Sequence, residues 1–342
     1  MSKTILITGA GGYIGSEMVR HFLAQDYQVR ALDRFFFGRD VLEDGSTPPG
    51  LTIVKADSRA IDAAVLDGVD AIVDLAGLSN DPSCDLEPRL TAEINRDAPI
   101  RLAHMARDAG VARYLFASSC SVYGSGVSNW LTEDSQTAPV SAYARAKLEV
   151  EPEVLKLADT SFTVSVLRKA TLYGLSRRMR FDLAVNLMTL HAFKLGRITI
   201  MGGGQQRRPF VHVRDAVRAY QMVLEAEPPL VQKQIFNIGS NDQNYRISQL
   251  ALAVKEHFPE TTVDYAPDDP DRRDYQVSFD KVTSTLGFRP TLRVADGVRE
   301  IRDALARGLV SDDIKTMTVK YYRYLIEADA VLRDVKLNGV LL

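Results

Sequence analysis

The chain has 342 residues, of which 46% are hydrophobic and 25% charged, with a formal net charge of −2 at pH 7. These values are ordinary for a globular enzyme of about two domains, and they exclude a strong field for nucleic acid or an acidic membrane. No apolar run reaches the about 18 residues of a transmembrane helix, and a predicted strand begins soon after Met1. We therefore expect a cytoplasmic protein without a signal peptide.

Short apolar runs alternate with helix-length segments through the first half of the chain. The predicted strands are residues 5–7, 28–32, 51–55, 71–75, 114–117 and 163–167, and the helices between them include residues 13–25, 89–108 and 142–158. This alternation predicts an α/β fold, a doubly wound parallel sheet with helices on both faces.

The rhythm changes after about residue 170. Residues 171–210 are predicted to be irregular apart from one helix at 183–195, and residues 235–239 are predicted to form a strand that returns to the sheet. We therefore expect a nucleotide-binding domain over residues 1–170 and a smaller, mixed substrate-binding domain, mainly residues 171–342, interleaved with the first.

A glycine-rich turn joins the first predicted strand to a helix. Gly9, Gly12 and Gly15 give the spacing G-x-x-G-x-x-G, and Tyr13 and Ile14 lie between the last two. Without a Cβ, glycine lets the backbone turn tightly and approach a pyrophosphate, whose charge is stabilised at the N-terminus of the next helix. The turn predicts a Rossmann-type dinucleotide site, with a purely structural glycine turn as the alternative.

The choice of dinucleotide depends on the end of the second predicted strand. Asp33 lies there, 18 residues after Gly15. A carboxylate at this point accepts hydrogen bonds from the adenosine ribose and repels the 2′-phosphate of NADP. Arg34, which follows directly, would soften that repulsion. The sequence favours NAD.

A second motif indicates hydride-transfer chemistry. Tyr143 and Lys147 are four residues apart on a predicted helix and therefore share a face, and Ser119 ends the fifth predicted strand. Lowering a tyrosine pKa from about 10 to 7 takes roughly 4 kcal/mol of phenolate stabilisation. Lys147 and a positive nicotinamide ring would supply it together, while Ser119 would orient the reacting oxygen.

With these motifs the chain resembles the extended short-chain dehydrogenase/reductase family, in its NAD-dependent epimerase/dehydratase branch. The motifs that carry the resemblance are residues 9–15, Leu75-Ala76-Gly77, Ser119 with Val122-Tyr123-Gly124, residues 143–147, Leu172-Tyr173-Gly174 and residues 208–213.

The resemblance implies individual roles around the cofactor. Asp57 and Ser58 are expected to contact adenine, and Leu75, Ala76 and Gly77 to run beneath the cofactor. In the reaction, the resemblance makes the tyrosine the acid/base, the lysine its partner and ribose anchor, and the serine the catalytic hydroxyl.

The resemblance also implies a nucleotide-sugar substrate and a homodimer. Asn186 and the two residues after it are expected to grip the nucleotide, and Arg208 and Arg273 to hold its diphosphate. Dimers of the family form through the helices predicted here at 89–108 and 142–158.

Departures from the family pattern narrow the reaction. The 4,6-dehydratases carry Asp-Glu after the catalytic hydroxyl residue, whereas this chain has Cys120 and Ser121. A 3,5-epimerase cysteine would fall at the position of Ser121, and the Asn expected three residues after Arg168 is Thr171. The pattern favours 4-epimerisation of a nucleoside diphosphate sugar. The alternative is a 4-ketosugar reductase or a sugar-nucleotide dehydrogenase that catalyses a net redox reaction. A non-catalytic protein that senses NAD is a remote alternative.

For several other residues, the sequence gives a general interpretation or leaves two interpretations open. Cys84 and Cys120 are predicted to be small buried side chains, and the five histidines show no metal-ligand spacing, so no metal is expected. His212 is interpreted as a core or positioning residue. The basic segment 177–180 faces either a phosphate or solvent, and Phe35, Phe36 and Phe37 either pack on the core or wall the adenine pocket.

Overall fold

The computed structural model describes residues 3–79, 81–84, 86–267 and 273–341. The strands are β1 (Thr4–Thr8), β2 (Gln28–Asp33), β3 (Leu51–Lys55), β4 (Ala71–Asp74), β5 (Arg113–Ser119), β6 (Ser125–Leu131), β7 (Thr163–Lys169), β8 (Thr171–Tyr173), β9 (Arg197–Met201), β10 (Arg207–His212), β11 (Gln234–Ile238), β12 (Asn244–Arg246), β13 (Thr262–Ala266) and β14 (Asp274–Val277). The helices are α1 (Tyr13–Leu23), α2 (Asp81–Cys84), α3 (Pro88–Ala92), α4 (Ala98–Asp108), α5 (Ala142–Lys156), α6 (Ala184–Leu195), α7 (Val213–Glu225), α8 (Pro228–Val231), α9 (Ile247–Lys255), α10 (Asp280–Leu286), α11 (Val294–Ala306) and α12 (Thr318–Val335).

A seven-stranded sheet with the order β11-β7-β5-β4-β1-β2-β3 forms the centre of the protein. All of its pairings are parallel. The strand order reverses between β1 and β4, and in such sheets ligands bind at the carboxyl ends of the strands beside that switch point. The α/β, Rossmann-type fold expected from the sequence is confirmed.

Apolar residues cover both faces of the sheet because successive side chains of a buried strand point to opposite sides. In β1, Ile5 and Ile7 pack in the cluster that includes residues of α1 and α7. Leu6 packs in the other cluster, which includes residues of α4 and α5. The continuous apolar run of β1 is thus explained by two buried faces.

The single helix expected at 89–108 is wrong in detail. The structure has α3, then a π-helical turn over Glu93–Asp97, then α4. Pro99 lies at the start of α4 and has no backbone N–H to donate to the preceding turn. The wider turn accommodates that missing hydrogen bond.

Smaller sheets lie outside the main sheet, with the strand orders β12-β10-β8, β13-β9 and β14-β6. Apart from β6, their strands belong to the second half of the chain. The β10–β12 pairing is antiparallel, and the other pairings are parallel. Within the described ranges, no helix combines the length and the apolar character needed to cross a bilayer. The division into domains at residue 170 stays a prediction.

Candidate active site

A cavity of about 990 Å³ opens at the carboxyl ends of β1, β4 and β5. This volume is at the upper end of the range of about 300–1,000 Å³ for ligand pockets. The residues predicted for the site that line it are Gly9, Gly12, Tyr13, Ile14, Asp33, Asp57, Ser58, Leu75, Ala76, Gly77, Ser119, Tyr143, Lys147, Arg208 and Arg273.

The glycine turn packs too closely to accept side chains. Gly9 has a φ of +66°, and a Cβ on it would lie 2.9 Å from the backbone nitrogen of Ala76. Gly15 lies behind the cavity wall, where a Cβ would come within 2.1 Å of the carbonyl oxygen of Gly9. Gly12 precedes the first residue of α1, and no side chain caps that helix. The N-terminal amides of α1 are therefore left for an anion.

Two carboxylates border the end of β2. Asp33 accepts hydrogen bonds from the backbone N–H groups of Gly11 at 3.0 Å and Phe35 at 2.6 Å, and burial raises its pKa. Asp57 instead pairs with Arg59 at 2.8 Å and Arg34 at 3.0 Å. The hydrogen bond from Arg59 is the main cause that lowers the pKa of Asp57 to about 2.

The backbone of the segment that follows β4 is held in place by a side chain of β1. The Thr8 hydroxyl accepts hydrogen bonds from the backbone N–H groups of Leu75 and Ala76, both at 3.1 Å. A Cβ on Gly77 would lie 3.0 Å from Asn95 Oδ1 and 3.6 Å from Lys147 Nζ. The absence of a Cβ at Gly77 therefore relieves a tight contact with Asn95, while Lys147 lies at ordinary van der Waals distance.

Local structure brings Tyr143 to Ser119. The Ser141 hydroxyl accepts a hydrogen bond from the backbone N–H of Ala144 at 3.2 Å and so fixes the start of α5 just before Tyr143. Burial raises the pKa of the Tyr143 hydroxyl, and the charges of Cys84 and Asp81 act in the same direction. A hydrogen bond with Ser119 and the charge of Arg180 lower it.

Lys147 is 3% exposed, and its Nζ lies 4.7 Å from the centre of the Phe116 ring. Burial lowers its pKa, whereas the charge of Asp74 raises it. Within the described ranges, no carboxylate lies within ion-pairing distance of its ammonium group. The charge of Arg180 also lowers the pKa of Tyr143, a contribution that the sequence did not predict.

A second lysine, Lys169, lies on the same wall, and its Nζ donates to the carbonyl oxygen of Ser118 at 2.8 Å. Burial lowers the pKa of Lys169 to about 7, and the charge of Lys147 acts in the same direction.

We predict that Lys169→Met raises the melting temperature at pH 6.5 by about 2–4 °C. The unfolded chain holds a proton on this lysine up to a pKa of about 10.4, so the folded state binds fewer protons between about pH 7 and 10. Wild-type stability therefore rises with pH in that window, and the advantage of the variant shrinks there. Melting curves at several pH values check this, and a difference independent of pH would contradict the assignment.

Of the residues predicted to bind the substrate, the two arginines lie at the cavity, whereas Asn186 does not. Arg208 is 6% exposed and lies 5.3 Å from the centre of the Tyr275 ring, and Arg273 pairs with Asp81 at 2.9 Å. Both arginines line the cavity.

Asn186 does not line the cavity and is fully buried. Its amide donates to the Tyr13 hydroxyl at 3.2 Å and to the carbonyl oxygen of Arg180 at 2.9 Å, and it accepts from the backbone N–H of Gly174 at 3.0 Å. These internal partners engage both ends of the side-chain amide, and the expected grip of this segment on the nucleotide stays a prediction. Leu187 and Met188, the next two residues, do line the cavity.

Sequence reasoning missed the C-terminal helix as part of the site. Val319, Tyr322, Leu325 and Ile326 of α12 line the cavity. Tyr322 follows Val319 by three residues, and Leu325 and Ile326 follow Tyr322 by three and four, so all four lie on one helix face. This periodicity could have indicated a covered surface. The rings of Phe36 and Tyr322 lie 5.9 Å apart, so α12 packs against the segment that follows Asp33.

A comparison with known protein families shows to which family the chain belongs. A family model described as "NAD dependent epimerase/dehydratase family" matches residues 5–239. The chain belongs to this family. The expected resemblance to the extended short-chain dehydrogenases/reductases is thereby confirmed, and NAD is the cofactor of the family.

Individual relatives in the epimerase/dehydratase family differ in their reactions. The chain is 30% identical over 302 residues to a UDP-glucose 4-epimerase of Mycolicibacterium smegmatis. The matched region covers 86% of this chain and 95% of that protein. It is 25% identical to the UDP-glucuronic acid decarboxylase 1 of Xenopus tropicalis, over 87% of this chain and 71% of that protein. The crystal structure of the dTDP-glucose 4,6-dehydratase of Streptomyces venezuelae with NAD bound is similar with a TM-score of 0.79 and 28% identity, over 90% and 98% of the two chains.

The residues present in the cavity fit NAD. The glycine turn has no space for a Cβ and leaves helix amides free, and a buried ammonium without a paired carboxylate lies beneath the cavity. The cavity therefore agrees with membership of the NAD-dependent epimerase/dehydratase family.

Proposed function

We propose that the protein is an NAD-dependent 4-epimerase of a nucleoside diphosphate sugar. The observation that carries the proposal is that Ser119, Tyr143 and Lys147 line one cavity, while neither residue after Ser119 is a carboxylic acid. This set is sufficient for proton transfer at a sugar hydroxyl but lacks the acid pair expected of a 4,6-dehydratase.

Cys120 cannot replace the missing acid. It is 1% exposed, and its Sγ donates to the carbonyl oxygen of Arg168 at 3.2 Å. Burial raises the pKa of its thiol. Ser121 lines the cavity, and its hydroxyl group is a weak acid that cannot drive the loss of water.

In the proposed reaction, Tyr143 accepts the proton of the sugar 4-hydroxyl and returns it after inversion. NAD, when bound, supplies a site that accepts a hydride from the sugar carbon and gives it back. Ser119 donates a hydrogen bond to the same oxygen and orients it. Lys147 holds the nicotinamide ribose and adds positive charge that favours the Tyr143 phenolate.

The substrate is held at the far end of the cavity in this proposal. Arg208 and Arg273 bind its diphosphate, and Arg273 exchanges the Asp81 carboxylate for a phosphate oxygen when it does so. We also propose, from the family resemblance alone, a cytoplasmic homodimer formed through α4 and α5.

Elimination of water is a second candidate, favoured by Asp81. This residue lines the cavity, and its Oδ1 is buried without a hydrogen-bond partner among the described residues. Its charge also raises the pKa of Tyr143, and both residues line the same cavity, so Asp81 is the acid that we propose for this second reaction.

The test is incubation of the purified protein with UDP-, GDP- and dTDP-sugars without added cofactor, with products identified by NMR and mass spectrometry. The proposal predicts an epimer of unchanged mass and no net NADH. Loss of water that disappears in Asp81→Asn would favour the dehydratase, and turnover that requires stoichiometric NADH or NAD⁺ would favour a 4-ketosugar reductase or a dehydrogenase.

A further inference from the structure

Arg178 lies in a segment that is anchored to the start of α1. The Ser176 hydroxyl donates to the carbonyl oxygen of Tyr13 at 2.7 Å, and the backbone N–H of Arg177 donates to Glu17 Oε1 at 3.1 Å. The next residue, Arg178, lines the cavity. The segment is thus held against the start of α1, and it places the cationic side chain of Arg178 near the N-terminus of that helix.

The guanidinium of Arg178 is enclosed but incompletely bonded. It is 4% exposed, stacks 3.6 Å from the centre of the Phe37 ring, and donates from Nη2 to the Thr318 hydroxyl at 3.0 Å. Its Nε and Nη1 are buried and have no hydrogen-bond partner among the described residues. A buried charge with free donors is costly unless a ligand of opposite charge binds there.

The surrounding charges do not neutralise this group. Burial lowers the pKa of Arg178 to about 9, and the charge of Arg180 acts in the same direction. Tyr322, Asp182 and Asp33 raise the pKa, but Arg178 forms no ion pair within the described ranges. The group is still a cation at pH 7.

Its neighbours place it at the cofactor end of the cavity. Phe37 follows Asp33 closely in the chain, and the field of Asp33 reaches Arg178. Arg208 and Arg273, proposed for the substrate, belong to the region of β10 and β14 instead.

We propose that Arg178 binds a phosphate of the dinucleotide on its adenosine side, with Nε and Nη1 as donors, and that α12 encloses it through Thr318. A guanidinium suits this task because it offers two parallel donors to one phosphate. NAD carries only the diphosphate there, so we assign the diphosphate as the partner. The inference concerns cofactor binding and does not depend on which reaction follows.

The experiment compares Arg178→Gln with Arg177→Gln, which removes the same charge one residue away. Arg177 pairs with Asp44 and does not line the cavity. Binding of NAD, ADP, adenosine and NADP to cofactor-stripped protein is measured by calorimetry, and the NAD content of the purified proteins by absorbance. We expect Arg178→Gln to weaken NAD and ADP binding by about 10- to 100-fold, as for the loss of a charge-assisted pair, with adenosine unchanged.

A second readout separates ligand binding from a structural role. Without NAD, Arg178→Gln is expected to melt at the same temperature as wild type or higher, because an unpaired buried charge is removed. If it does not fold, Arg178→Lys keeps the charge but loses the paired donors, and the same selective loss is expected. Unchanged NAD affinity, or an equal loss in Arg177→Gln, would overturn the proposal; a loss confined to NADP would identify the 2′-phosphate and refute the diphosphate assignment.

Discussion

Tyr143→Phe is expected to lower kcat by about 10²–10⁴-fold, the usual contribution of a positioned acid/base. The substitution removes the single hydroxyl oxygen that exchanges the proton and leaves the ring in place. We therefore expect the NAD content and the melting temperature to stay close to those of the wild type. The measurement is the initial rate on the best nucleotide sugar under saturating substrate.

A matched control exists in Tyr220→Phe. The Tyr220 hydroxyl is buried, has no hydrogen-bond partner among the described residues and does not line the cavity. Its removal should leave kcat unchanged and the stability unchanged or slightly higher. If Tyr143→Phe kept more than about a tenth of the wild-type rate, the general-base assignment would be wrong.

The buried ion pair behind the active site is expected to carry the largest effect on stability. Glu151 and Arg168 lie 2.6 Å apart with side chains that are 2% and 4% exposed. Arg168→Met would leave the Glu151 carboxylate buried and unpaired, which typically costs about 3–5 kcal/mol of the free energy of unfolding. Chemical denaturation of the two proteins measures this.

Two comparisons interpret that result. The double variant Glu151→Leu with Arg168→Met should recover much of the loss, since both charges are then gone. Lys156→Met removes one partner of an exposed pair on α5 and should cost at most about 1 kcal/mol. A loss below about 1 kcal/mol for Arg168→Met would show that the pair is not required for the fold.

The Glu151–Arg168 ion pair also helps to position the residues of the active site. The Ser118 hydroxyl donates to Glu151 Oε1, and Arg168 Nη1 donates to the Tyr123 hydroxyl at 3.0 Å. These contacts attach the end of β5, and therefore Ser119, to α5, which carries Tyr143. We expect the stabilised double variant to remain less active than wild type because this attachment is lost.

The sheet could be predicted from the sequence because its signals are local. Residues 51–55 were predicted as a strand from their own apolar run, and β3 has the same bounds. The glycine turn and its helix follow from spacing alone, since the steric demand acts within seven residues. The carboxyl ends of parallel strands then bring these residues to one edge.

The remainder of the site depends on contacts that are distant in sequence. That Arg178 of the basic segment 177–180 is enclosed could not be predicted without Thr318, which bonds it from α12 and is 140 residues away in the sequence. The internal hydrogen bonds of the Asn186 amide could not be predicted either, because its partners Tyr13 and Gly174 are distant from it in the sequence or separated from it by an irregular segment. The interpretation of His212 as a core residue agrees with its full burial and its 2.6 Å contact with Glu300.

In the proposed 4-epimerase, the hydride that leaves C4 of the sugar returns to the same carbon. The most direct test is turnover of a nucleotide sugar deuterated at C4, with the label located by NMR. We predict that the epimerised product keeps deuterium at C4 and that no deuterated NADH is released. Deuterium at C6 would indicate a 4,6-dehydratase, and deuterium in free NADH would indicate net redox; either result would contradict the 4-epimerase.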